Sequence, residues 1–109
     1  MAEPEKSITN QTYLNTLALL YLMAGGELNK LHEVAESLER SFDPVCVNAA
    51  AEFIQPADCI NVTARGPALA AARQIALTLM EGARCKASAF AAGAFRHGPF
   101  EVSGPGHLA

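Results

Sequence analysis

From about Thr9 onward, apolar residues crowd the chain at Tyr13-Leu14, Leu17-Ala18 and Leu20-Tyr21-Leu22, on nearly every face of the helix they would form. Such a helix is expected to be buried all round. Gly25-Gly26 supplies the backbone freedom that ends it. The next segment, about 27–42, sets Leu28, Leu31, Val34, Ala35, Leu38 and Phe42 on one stripe and turns Glu33, Glu36, Glu39 and Arg40 to water, so it reads as an amphipathic helix. Asp43-Pro44 closes it, because the residue before a proline is pushed out of the helical region. A third short helix is expected over 45–54, closed by Pro56. Cys59-Ile60-Asn61-Val62-Thr63 is the clear strand, a β-branched run between Asp58 and Arg65-Gly66-Pro67. Pro67 suits the first position of a helix running to about Arg84, with Leu69, Ala72, Ile75, Ala76, Leu79, Met80 and Ala83 on its apolar face.

Beyond that helix the pattern allows a short strand over 87–90, a small-residue turn at Ala91-Ala92-Gly93 and a second turn at Gly104-Pro105-Gly106. His107-Leu108-Ala109 reads as the first residues of another strand, and residues 1–8 as an irregular lead-in. A parallel sheet needs several strands joined by crossover helices. One strand with a second cut short does not make one, so the expected fold is a partial α/β sandwich. It would be mostly helical, with one to three short strands, and part of a larger architecture.

Composition narrows the classes. The 109 residues are 50% hydrophobic and 17% charged, which argues for a folded chain and against disorder, in one small domain at most. The 8 Lys+Arg and 11 Asp+Glu give a formal charge of −3. Residues 1–58 hold nine acids and three bases, and residues 59–109 hold two acids and five bases. No basic cluster gives the electrostatic footprint of a nucleic-acid binder, so no nucleic acid is expected as partner. No run approaches the ~18–20 apolar residues of a membrane span, and the start lacks a cationic, apolar signal peptide. No membrane partner is expected, and the default address is the cytoplasm. Cys46, Cys59 and Cys85 lack the paired spacing of a zinc site and read as small buried hydrophobes in a reducing compartment.

Three places could carry chemistry. Glu81 falls in the last turn of the fourth helix, where the negative end of the helix dipole opposes a carboxylate charge, a setting that suits a general base. The plainer reading is a good helix former with Arg84 three residues on as its surface partner. His97 sits in a turn between aromatic residues, followed by Gly98-Pro99, which fixes the backbone and leaves the imidazole free. It is a candidate acid or base, or a surface histidine without chemistry. Arg65-Gly66 closes a strand and opens a helix, the place where open α/β sheets bind ligands and helix N–H groups meet anions. His32 and His107 have no comparable context. No nucleotide fingerprint or metal-ligand cluster is present, so no cofactor and no metal are expected.

The ordered set Ala64-Arg65-Gly66-Pro67, Leu77-Thr78-Leu79-Met80-Glu81, Phe95-Arg96-His97-Gly98-Pro99 and Gly104-Pro105-Gly106 resembles the second sugar isomerase (SIS) domain of the glucosamine-6-phosphate synthase type. Glu5-Lys6-Ser7-Ile8, followed by Thr12-Tyr13 and an apolar helix, resembles the stretch that ends a first SIS domain and leads into the joining helices. The resemblance implies a boundary at residue 58, with interdomain helices before it and the start of a second SIS domain in 59–109. It implies a parallel-stranded α/β sandwich, homodimerisation, and aldose–ketose chemistry on phosphorylated hexoses with amino transfer or deamination. By the same resemblance Glu81 moves a proton between sugar carbons, while His97 assists ring opening and reaches the site of the neighbouring subunit. Arg65 and Gly66 are the substrate-binding candidates.

Two departures from the family pattern stand out. Thr78 replaces a lysine one helical turn before the glutamate, and Ala94 replaces a glutamate ahead of the histidine motif. Loss of the lysine favours a relative that deaminates, deglycates or isomerises a sugar phosphate without taking ammonia from glutamine. The Ser/Thr-rich phosphate loops of a first SIS domain and a glutamine-hydrolysing domain are not among these residues. Two other readings stay open: a phosphosugar-sensing SIS module of a regulator, and a fragment without activity of its own.

Overall fold

A computed structural model of the chain describes residues 8–109. Glu5, Lys6 and Ser7, part of the resemblance to a first SIS domain, lie outside the described residues. The order is α1 (Asn10–Met23), α2 (Leu28–Ser41), α3 (Pro44–Ile54), β1 (Cys59–Ala64), α4 (Ala68–Gly82), β2 (Ala87–Ala91), α5 (Ala92–Phe95) and β3 (His107–Leu108). The class is α/β, with a small parallel sheet ordered β2-β1-β3. Contacts divide the chain within α3: one compact unit ends at Asn48 and the other is Ala49–Ala109.

In the first unit, Gly25 at φ 87 lets the chain leave α1, and the Gly26 N–H donates back to the Tyr21 carbonyl at 2.9 Å. Gly26 has no side chain to spare: a Cβ there would overlap the Tyr21 ring. α3 starts at Asp43-Pro44 because proline needs no N–H partner at a helix start. The Asp43 carboxylate accepts the Val45 N–H at 2.9 Å and the Cys46 thiol at 3.2 Å, and its carbonyl accepts the Val47 N–H at 3.0 Å.

The expectation of a helix buried all round fails for α1. No residue of α1 is buried, with Leu19 61% and Met23 83% exposed, and the α2 stripe at Leu28, Val34, Leu38 and Phe42 is exposed as well. Apolar patterning states which faces favour burial, but burial also needs a second surface. Within this unit α1 and α2 line an open groove, with residues such as Leu14, Leu17, Leu31 and Ala35 along it.

In the second unit β1 is central. It pairs in parallel with β2 from Ile60↔Ala87 to Ala64↔Ala91, and with β3 at Cys59↔His107 and Ile60↔Leu108. α4 is the crossover between β1 and β2, which is how parallel neighbours must be joined. Ile60, Ala76 and Ala87 form the core, with Ile54, Ala57, Val62, Leu79, Cys85 and Ala89 packed around it. Ala72 and Ala76 are the buried residues of α4, small enough to bring the helix close to the strands.

Three expectations change here. The strands do form a parallel sheet, because a second partner for β1 needs only His107 and Leu108 once Gly106 holds the turn: its carbonyl accepts the N–H groups of Asp58 at 2.8 Å and Cys59 at 3.3 Å. The small-residue turn at Ala91-Ala92-Gly93 is instead the start of the short helix α5, which alanines permit. The cysteines are not buried: Cys46 is exposed, and Cys59 and Cys85 are half-buried, at the end of a strand and just past a helix.

Candidate functional site

Because β1 and β2 run parallel and in register through Ala64↔Ala91, the segments that follow them emerge at the same edge of the sheet. A cleft of about 570 Å³ opens there, lined by Thr63, Arg65, Ala92, Phe95, Arg96 and Phe100. This is the carboxyl edge, where open α/β sheets hold their ligands, and the volume is within the ~300–1,000 Å³ of small-molecule sites. Phe95 anchors the cleft: it is 8% exposed, with its ring 5.8 Å from that of Phe90 and edge-on to that of Phe100 at 6.2 Å.

The turn from β1 into α4 is set by Gly66, whose φ of 55 favours a residue without Cβ. Its carbonyl accepts the Leu69 N–H at 3.1 Å, which starts the first turn of α4. Arg65, just before this turn, lines the cleft. Arg96 reaches the same cleft from the end of α5. Both arginines are exposed, and among the described residues neither forms an ion pair. Among the described residues no carboxylate lines the cleft.

His97 follows Arg96 directly but does not line the cleft. It is exposed, in a loop tied to itself by Phe100 N–H to the Phe95 carbonyl at 2.9 Å, Glu101 N–H to the Gly98 carbonyl at 3.0 Å, and the Ser103 hydroxyl to the Pro99 carbonyl at 2.9 Å. Glu81 is exposed in the last turn of α4. At 1.5 Å per residue that helix separates it from Arg65 by roughly 20 Å, so the structure does not bring Glu81 into the cleft. Nor does Glu81 pair with Arg84. The ion pairs seen among the described residues are Lys30–Glu33 and Arg40–Glu36. Arg84 sits at φ 54, in the left-handed turn that ends α4, where the Cys85 N–H returns to the Leu79 carbonyl at 3.2 Å.

Sequence reasoning left Arg96, Thr63, Phe95 and Phe100 without a role. A signal was present: the residues after two parallel strands joined by one crossover share a sheet edge, which pairs Arg65 with Arg96. Among the described residues no group of three or more His, Cys, Asp and Glu side chains is placed to hold a metal ion. No helix among them is long and apolar enough to cross a membrane. Comparison with protein-family models, curated proteins and solved structures found no match to this chain.

Proposed function

We propose that the chain is a SIS-type module that binds a phosphorylated hexose of the fructose 6-phosphate or glucosamine 6-phosphate kind, with Glu81 and His97 as proton-transfer residues in a homodimer. The observation that carries the reading is the carboxyl-edge cleft lined by Arg65, reached by the motif order that resembles the family. Glu81 stands roughly 20 Å from this cleft along α4, so in the catalytic reading it acts on a sugar held by another subunit of the homodimer, as the resemblance has His97 do. In this reading Glu81 accepts the proton from one sugar carbon and returns it to the next, and His97 protonates the ring oxygen on opening. Thr78 in place of lysine points to isomerisation or deamination rather than glutamine-dependent amino transfer.

A second reading, a phosphosugar-sensing module without catalysis, draws on the same separation: among the described residues, no carboxylate lines the cleft that would hold the sugar phosphate. Isothermal titration with fructose 6-phosphate, against fructose as control, tests the shared claim, and absence of saturable binding would overturn both readings. Proton NMR in D₂O separates them. The catalytic reading expects deuterium incorporation at the sugar carbon that Glu81→Gln abolishes while binding persists. Exchange that survives in Glu81→Gln removes Glu81 as the base, and binding without exchange in the unaltered chain selects the sensing module.

A further inference from the structure

We propose that Arg65 and Arg96 together hold a phosphate-monoester dianion in the carboxyl-edge cleft, with the uncharged part of the ligand lying against Phe100. The inference rests on the sugar-phosphate reading for the ligand class. It goes further by supplying a second cationic residue, Arg96, and an aromatic wall.

Two arginines line one cleft from different segments, with no carboxylate among the described lining residues and no ion pair to either of them from any described residue. Like charges converging without a counter-charge repel, and a dianion between them turns that repulsion into two charge-assisted contacts. Arginine suits this role because its planar fork meets phosphate oxygens bidentately. The amino end of the 15-residue helix α4 lies directly after Arg65-Gly66, which adds a favourable dipole on the same side. Phe100 is 60% exposed yet held edge-on by the buried Phe95, so its ring is an accessible, fixed apolar surface within the site. Thr63, exposed at the end of β1, adds a hydroxyl to the lining.

The test is titration of the full chain with inorganic phosphate, fructose 6-phosphate and fructose. Phosphate and fructose 6-phosphate are expected to bind competitively, more weakly as salt rises, and fructose not to bind. Arg65→Gln and Arg96→Gln are each expected to weaken both anions about tenfold or more, the scale of one charged hydrogen bond. Phe100→Ala is expected to weaken fructose 6-phosphate and spare inorganic phosphate. Both arginines are exposed, so unchanged far-UV circular dichroism is expected to show that the variants still fold, and Arg65→Lys and Arg96→Lys are expected to retain part of the affinity. Undiminished fructose 6-phosphate binding in both Gln variants overturns the arginine site and leaves sugar-phosphate binding standing. Arginine-dependent binding of inorganic phosphate with no preference for the sugar ester upholds the anion site and overturns the sugar-phosphate reading.

Discussion

Asp43 shows how one side chain settles a local boundary. The Cys46 thiol, followed by the Val45 N–H, donates to its carboxylate and holds its pKa below the usual 3.8. A depressed carboxylate stabilises the fold above its unfolded pKa, and the contribution is lost as pH falls through the folded value. Asp43→Ala is therefore expected to lower the thermal midpoint at pH 7, and the gap between variant and parent is expected to narrow as pH falls below the usual 3.8 and through the depressed folded value. Thermal melts across pH 2–7 check this, and a gap independent of pH would remove the carboxylate as the cause. The sequence already pointed to this boundary, because the residue before a proline is pushed out of the helical region and so closes the preceding helix. Arg96 was less legible: nothing local to Phe95-Arg96-His97 shows which of its neighbours faces a cleft.

At the scale of elements, the sheet depends on a turn more than on strand propensity. β3 is two residues long and is brought beside β1 by Gly106, at φ 84, whose carbonyl takes two N–H groups from the start of β1. A Cβ at that position would run into the Asp58 carboxylate. Gly106→Ala is expected to cost about 1–2 kcal/mol and to speed amide hydrogen exchange at Asp58 and Cys59, with the Ile60 amide, bonded to Lys86 at 2.8 Å, much less affected. Equal acceleration at all three amides would mean that Gly106 acts on the whole unit and not on β3. Helices α2, α3 and α4 follow their sequence patterns closely, because caps, prolines and periodicity are local. α5 does not, since a single helical turn of small residues and a bend differ by too little in local energy for sequence to separate them.

At the scale of the whole molecule, the described residues divide into a unit with a core and a unit whose apolar residues remain exposed. Ile60, at 6% exposure, is expected to cost about 2–5 kcal/mol when changed to alanine. Leu19→Gln, on the exposed face of α1, is expected to change stability by less than about 0.5 kcal/mol. Chemical denaturation measures both, and comparable losses would mean that α1 is buried in solution. The sequence by itself determined helices α1 to α4 and their approximate ends, the β1 strand, and the glycine turn at Arg65-Gly66, because each follows from contacts within a few residues. Only the tertiary structure decided that three short strands close into a parallel sheet, that α1 lies uncovered, that Glu81 stands a helix length from the cleft, and that Arg96 joins Arg65 there. Those outcomes depend on which distant segments meet, and register and crossover geometry set that pairing, to which a one-dimensional pattern of polar and apolar residues is blind.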